Sequence, residues 1–466
     1  MNAQERDNLI ATVDLSEPLT FPAEAYTSRA YAEAEGDRLW SKVWQHAGRV
    51  EEIPSIGDYI TYDIGDDSII IVRSADSTIK AYHNVCPHRG RKLVGTPKGA
   101  NHACGHKDQN GEKKQGFFCN YHGWTFNLDG KATYILDKDD WKGALTEDRT
   151  SLNAVKVDTW GGWIWINMDP NCQPLLDYLH PIADMLAPFE FDKMRYRFRQ
   201  WGIFDCNWKV ALEAFLEPYH VAATHPQLNK YGDFYAWSQA LGMHGNDGFD
   251  TKVKTEGSAA ETTVHRAAKG DDARKTIAQM QQEFWDTIGA STTETLVNAA
   301  KRLVDELPEG TPADVVHHHW LESAKADDAA RGVIWPEISD EQMATAGLAQ
   351  SIFPNMNILP GPTFALYYRV RPYRNDPNKC IYEAIAIERF PEGQEPKTEW
   401  IYAEPVEEQW PYVISQDISN MIEVQNGLHS RGFRGNLPNP HQEQKVTNLH
   451  LNLSKFMGSG GPVPLK

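Results

Sequence analysis

Two short blocks of the chain each pair a cysteine with a histidine: Cys86-Pro-His88-Arg-Gly and Cys119-Asn-Tyr-His122-Gly-Trp. Each offers one thiolate and one imidazole from a tight loop, so two facing loops can enclose one inorganic centre. Zinc accepts two thiolates and two imidazoles tetrahedrally. A two-iron, two-sulfur cluster accepts them too, with both cysteines on one iron and both histidines on the other, which raises its potential. A second constellation lies in Asn207-Trp-Lys-Val-Ala-Leu-Glu213-Ala-Phe-Leu-Glu217-Pro-Tyr-His220-Val-Ala-Ala-Thr-His225-Pro226. Read as a helix over 207–222, it puts Glu213, Glu217 and His220 on one face through i, i+4 and i+7 spacing. His225 lies five residues beyond His220, so the helix must unwind or end for both to reach one ion, and Pro226 suits such an ending. Two imidazoles and one carboxylate make the facial triad of a mononuclear non-haem Fe(II) site, with positions left open for other ligands. The carboxylate can come from far along the chain. Asp417 aligns with Ile414, Met421, Val424 and Leu428 inside an apolar helical stripe over 415–428, where an unpaired acid is costly. Alone it reads as a salt bridge; beside the two histidines it reads as an iron ligand, with Glu423, Glu407 and Glu408 as competing acids.

The elements that must position these residues change along the chain. Residues 22–47 predict a helix, with Tyr31, Ala34, Trp40, Val43 and Trp44 at spacings near three and four and Gly48 after them. From Gly57 the period becomes two. Strands are expected at Tyr59–Tyr62, Ile69–Val72, Ile79–Tyr82, on both sides of Asp129-Gly130, and at Trp163–Asn167, giving a compact all-β unit over about 50–167. Further on, Arg195–Phe204, Phe364–Tyr373 and Cys380–Phe390 read as strands and 270–330 as surface helices, with a flexible tail at 458–466.

The chain has 466 residues, enough for about three domains at roughly 150 residues each. Its 15 Trp, 18 Tyr and 17 Phe exclude a disordered polymer. The net charge of −18 argues against nucleic-acid and anionic-membrane partners. Six cysteines are too few for a disulfide scaffold. No apolar run approaches a spanning helix, and MNAQERDNLIATVDL lacks the build of a secretory signal, so a cytoplasmic location is expected.

With its C-x-H and C-x-x-H blocks, the NWK…E…YH…H segment and the later D…Q-x-G segment in this order, nearly the whole chain resembles the catalytic α subunit of Rieske non-haem iron oxygenases, the ring-hydroxylating family. The resemblance implies an α+β protein. An N-terminal helical segment (1–47) would pack on the catalytic domain, followed by an all-β Rieske domain (48–167). A helix-grip catalytic domain (168–466) would follow, with a curved antiparallel sheet over a long helix. It implies a [2Fe–2S] cluster on Cys86, His88, Cys119 and His122, and a mononuclear iron on His220, His225 and Asp417. Electrons would come from NAD(P)H through a reductase or ferredoxin. The assembly would be a homotrimer or trimer-based, with a β subunit possible. Glu217 would bridge His220 to a cluster histidine of the neighbouring subunit. The sequence departs from the common pattern in having Ala214 after Glu213, and Glu217 where Asp is frequent, which weakens transfer of any relative's substrate.

Phe215, Leu216, Phe234, Trp237, Met243, Phe353, Asn355 and Phe364 are the expected pocket residues, apolar enough for an aromatic ring. Hydroxylation of an aromatic compound, as a dioxygenase, is the first expectation. A monooxygenase or oxidative demethylase acting on a nonaromatic or methylated small molecule is the second. A noncatalytic Rieske electron-transfer protein and a zinc-stabilised structural protein are readings of other classes. The stretch 89–118 is longer than common in Rieske domains, and its His102, Cys104 and His106 read as surface loop before extra metal site. His83 and His317-His318-His319 read as solvated surface. Arg89, Arg91 and Lys92 are the nearest basic residues for an acidic electron donor.

Overall fold

Alternating side chains drive the fold, because strands bury every second residue against a partner layer. The computed structural model describes residues 13–96, 100, 102–105, 115–231, 235–249 and 272–465. The chain divides into two units, residues 33–178, and residues 1–32 with 179–466.

In the unit 33–178 a seven-stranded sheet runs in the spatial order Gln45–Arg49, Trp163–Asn167, Ala154–Trp160, Thr78–His83, Asp67–Ala75, Tyr59–Ile64 and Cys104–Gly105. A smaller sheet of Gly116–Phe118, Thr125–Asn127 and Ala132–Tyr134 completes it. Gly161 and Gly162, both at positive φ, close the tight hairpin between Trp160 and Trp163. The expected helix over 22–47 breaks into Glu24–Thr27, Arg29–Glu35 and a wide last turn at Gly36–Trp40, and its end becomes the strand Gln45–Arg49. All five residues of that strand are buried and four pair with Trp163–Ile166. Trp40, Val43 and Trp44 are core residues in either conformation, so their spacing could not decide between them. Gly48 does not stop a helix: a Cβ there would lie 2.5 Å from Ile60 Cδ1, so it lets two layers approach.

The other unit holds an eight-stranded sheet. Its order is Ala236–Leu241, His244–Phe249, Ala349–Ile352, Met356–Pro360, Phe364–Pro372, Cys380–Glu388, Arg195–Phe204 and Trp400–Tyr402, antiparallel except for the last pair. Helix Gln444–Met457 packs on the first two strands, and helix Tyr412–Leu428 on the short helix Trp208–Glu213. Helices Ala273–Thr287, Glu294–Glu306 and Ala313–Ala330, expected as surface, bury a core of their own around Leu296, Leu303, Val316 and Trp320. The tail expected to be flexible carries a strand, Val463–Pro464, paired with Leu19–Thr20. Among the described residues no helix is long and apolar enough to cross a membrane.

Candidate metal centres

The two Cys/His loops share one hydrogen-bonding plan. Cys86 N donates to Arg91 O at 2.8 Å and Gly90 N to Cys86 O at 3.0 Å; Cys119 N donates to Trp124 O at 2.8 Å and Gly123 N to Cys119 O at 3.0 Å. Gly90 and Gly123 both sit at φ +74°, a conformation that favours glycine. Each loop leaves a strand, Thr78–His83 or Gly116–Phe118, so the sheets aim them. Cys86 and Cys119 are buried, and burial, with the adjoining Cys119 thiol, pushes the Cys86 thiol up to about 11. The His88 and His122 rings lie 4.6 Å apart, and His88 stacks on Trp124 at 4.9 Å. His122 Nδ1 is buried without a hydrogen-bond partner among the described residues. Two buried thiols and two adjacent imidazoles, one with an orphan nitrogen, fit the donor set of a Cys/His-ligated [2Fe–2S] cluster.

The second centre is assembled from distant segments. The helix expected over 207–222 ends at Glu213, because Pro218 disfavours helical backbone at Glu217, and a four-residue helix, Val221–Thr224, resumes after the turn. Glu213, Glu217 and His220 therefore do not share one helical face. Asn207 caps the first helix by accepting from Lys209 N at 3.1 Å. His220 and His225 flank the short helix, and Asp417 reaches them from Tyr412–Leu428. One donor atom from each of the three lies within 4.8 Å of the others. His225 Nε2 is 3.1 Å and His220 Nε2 3.6 Å from Asp417 Oδ1.

Both imidazoles are held from behind. His220 Nδ1 meets Glu217 Oε1 at 2.9 Å, while His220 N donates to Glu217 Oε2 at 3.0 Å. His225 Nδ1 meets Gln416 Oε1 at 2.9 Å, which also accepts from Gln227 Nε2 at 2.7 Å. Each ring thus turns Nε2 toward Asp417, the arrangement that orients metal-binding imidazoles. Burial pushes His220 down, but Glu217 and Asp417 outweigh it and hold the imidazole up at about 9. Two imidazoles and a 3%-exposed carboxylate fit a facial-triad iron. The competing acids Glu407, Glu408 and Glu423 are exposed.

A cavity of about 180 Å³ opens on the triad, walled by Phe215, Phe249, Phe284, Leu359, Leu366 and Tyr368. Of the expected pocket residues Phe215 lines it; Leu216, Trp237, Met243, Phe353, Asn355 and Phe364 do not, and Phe234 lies outside the described residues. The missed residues came from strands whose apolar runs gave no hint of which face would meet the triad. Gln416 was missed although it adjoins Asp417. So was Asp247 in the cavity wall, with its buried ion-pair partner Lys445. Burial raises Asp247 to about 6, against the pull of Lys445.

In the long loop, Cys104–Gly105 adds an edge strand to Tyr59–Ile60, and His102 Nε2 lies 3.7 Å from Glu52 Oε2. His106 and the side chain of Cys104 lie outside the described residues. His83 sits 3.8 Å from Asp67. His317 and His318 are exposed, and His319 bonds Glu306 at 2.7 Å. Arg89 lies over the Tyr121 ring and Lys92 bonds Asp63 at 3.1 Å.

Two family models match the chain: the ring hydroxylating alpha subunit (catalytic domain) over residues 157–459, and the Rieske [2Fe-2S] domain over residues 43–142. The carnitine monooxygenase oxygenase subunit of Acinetobacter pittii (strain PHEA-2) is 31% identical over 220 residues, 46% of this chain and 56% of that protein. The chain spans about half the length of the curated relatives it matches. A quaternary ammonium Rieske monooxygenase solved with L-carnitine superposes with a TM-score of 0.61 at 19% identity, over 96% of this chain and 97% of that one. Naphthalene 1,2-dioxygenase with indole bound superposes with a TM-score of 0.63 at 18% identity, over 99% and 96%. At such identities the superpositions speak to the fold alone.

Proposed function

We infer that this chain, which belongs to the ring-hydroxylating α-subunit family with its Rieske [2Fe–2S] domain and non-haem iron domain, is the terminal oxygenase of a monooxygenase system acting on a quaternary ammonium compound. Electrons would come from NAD(P)H through a reductase. This replaces aromatic-ring dioxygenation, the first expectation from the motifs, with the methylated, nonaromatic alternative. The observation that carries the reading is the cavity beside the triad. Phe215, Phe249, Phe284 and Tyr368 present aromatic rings, whose faces attract a quaternary ammonium. Glu217, Asp247 and Asp417 also line it, and none of its described lining residues is Lys or Arg. The similarity to an oxygenase subunit named for carnitine points the same way.

Dioxygen activation is the chemistry that an iron held by His220, His225 and Asp417 would supply, with Cys86, His88, Cys119 and His122 holding the cluster that feeds it. The chain's own groups prepare that chemistry. Glu217 and Gln416 fix the two imidazoles with Nε2 free to ligate. Asp417 contributes the negative charge that a divalent ion needs. The apolar walls exclude water and hold the substrate against the triad. Glu217 has a second role in this reading, as the bridge to a cluster histidine of a neighbouring subunit in a trimer. Both its oxygens already bond His220, and a carboxylate has acceptor sites to spare for another donor.

Oxygen uptake and product analysis with labelled dioxygen test the proposal, using a reductase and a panel of L-carnitine, glycine betaine, choline and aromatic hydrocarbons. Uptake with a trimethylammonium compound and one labelled oxygen in its product is expected. Uptake confined to the hydrocarbons, with two labelled oxygens per product, would overturn it.

A further inference from the structure

Helix Ala273–Thr287 changes its surroundings along one face. Ile277, Gln281, Phe284 and Ile288 follow one another at spacings of four, three and four, so they share that face. At the helix start Ala273, Ile277 and Ala278 pack into the separate core around Leu296 and Trp320. At its end Phe284 and Ile288 instead line the cavity beside the triad, joined by Ser291 from the turn that follows. All three are half-buried.

This end is held from two directions. Lys230 Nζ pairs with Glu283 Oε2 at 2.7 Å, and Tyr231 donates to the same oxygen, both from the segment just beyond His225. From strand Arg195–Phe204, Arg197 lays its guanidinium over the Trp285 ring at 4.5 Å and donates to Thr292 O at 2.9 Å. Glu388, on the neighbouring strand, pairs with Arg197 at 3.4 Å. The turn itself carries Gly289 and Ser291 at φ +66° and +60°. Serine in that conformation is costly and persists only where its surroundings fix it. The sheet contributes Leu359 and Leu366, directly opposite each other on paired strands and fixed by the ladder between them. The helix end is fixed by a few side chains, so single residues can set where it stands. The cavity, at about 180 Å³, is below the roughly 300–1,000 Å³ of drug-sized ligand sites. In so small a space one phenyl ring decides how bulky an occupant can be.

We propose that this helix end is the size-selecting wall of the substrate cavity. Phe284 and Ile288 limit the bulk accepted, and Arg197 is a positioning residue that sets where they stand. For a quaternary ammonium compound, the wall restricts the groups on nitrogen to about the size of methyl. The inference rests on this cavity being the substrate site, as in the reading above, but the wall would select by size whatever the substrate's charge.

Calorimetric binding to the full-length, iron-loaded protein tests it with two pairs, choline with triethylcholine and toluene with tert-butylbenzene. At pH 8, above the value of about 7 to which burial raises Glu388, the Arg197–Glu388 pair is intact. In the pair that binds, the smaller member is expected to bind tighter by roughly tenfold or more. Binding of only the hydrocarbon pair would defeat the quaternary ammonium reading while leaving the wall standing. Phe284→Ala is expected to bring the two members within about twofold, chiefly by tightening the larger. Ile288→Ala should shift the preference the same way by less, and it carries the test if Phe284→Ala fails to fold. Arg197→Gln should remove part of the preference, and Arg197→Lys, which keeps the charge beside Glu388, should restore some of it. An unaltered preference in Arg197→Gln would remove the positioning role. No size preference in the wild type, binding of none of the four compounds, or a wild-type preference in both wall variants would overturn the proposal. Equal weakening of both members in those variants would also overturn it, since that is the signature of residues that only support the fold.

Discussion

The loops around Cys86 and Cys119 are two versions of one local turn, whereas His220, His225 and Asp417 meet through contacts between segments about 190 residues apart. The two candidate centres also differ in what surrounds them. Cys86, Cys119 and Trp124 belong to the same buried cluster as Ile70, Phe117 and Phe126. The two candidate cysteine ligands are therefore part of the core of their unit, while His88 and His122 are only half-buried. The triad lies on a cavity wall, and its ligands are braced by polar partners, Glu217 and Gln416, rather than by packing alone. The difference teaches that one centre should be inseparable from folding and the other removable.

Cys119→Ser should erase the visible Rieske absorption entirely and lower the melting temperature, since it removes a ligand that is also a core residue. A stable, cluster-free variant melting like the wild type would break the contrast. Asp417→Ala should empty the mononuclear site and keep the Rieske spectrum and the fold, with iron analysis falling to about two atoms per chain. Retention of the third iron would show that another acid is the ligand. Glu217→Gln should keep both metals and lower turnover roughly 10–100-fold. Full activity in that variant would remove the bridging role. Gln416→Leu should weaken mononuclear iron binding by roughly tenfold in a chelator competition, through loss of the His225 brace. Unchanged affinity would mean that packing alone orients the ring.

The smallest effect concerns Glu443, half-buried near Glu213 and Glu217. Burial and then those two acids raise its carboxyl to about 7, against a hydrogen bond from the Asn439 amide. Below pH 4.5 the group is protonated both folded and unfolded. Between there and 7 only the folded chain keeps the proton, so the stability it contributes is lost as pH rises through about 7. Glu443→Gln should flatten the fall in melting temperature between pH 5 and 8. An unchanged slope would assign the fall to other groups.

Where information was local, the sequence could be read closely. Arg195–Phe204 and Trp163–Asn167 form strands with the expected bounds, because their alternation or continuous burial admits little else. The Cys/His blocks do come together, since a six-residue turn with one left-handed glycine is almost self-sufficient. Longer-range outcomes escaped. Trp40, Val43 and Trp44 carry helical spacing, yet the following residues join a sheet through a partner more than 110 residues away. Pro218 lies in plain view inside the expected helix, but helical spacing on either side of it masked the break. Gln416, Asp247 and Lys445 are single polar residues in otherwise ordinary elements. Their partners are set by tertiary packing, which no spacing rule encodes.

The connectivity of the two units has a consequence for biosynthesis. The unit 33–178 is inserted between residues 1–32 and 179–466, and within the latter unit Val463–Pro464 pairs with Leu19–Thr20. At ribosomal speeds of about 5–20 residues per second, the inserted unit is complete roughly 15–60 s before its host. The [2Fe–2S] cradle can thus be offered to the cluster-delivery machinery on a nascent chain. The candidate iron site of His220, His225 and Asp417 is not assembled until translation has passed Asp417, so the cluster cradle is available first.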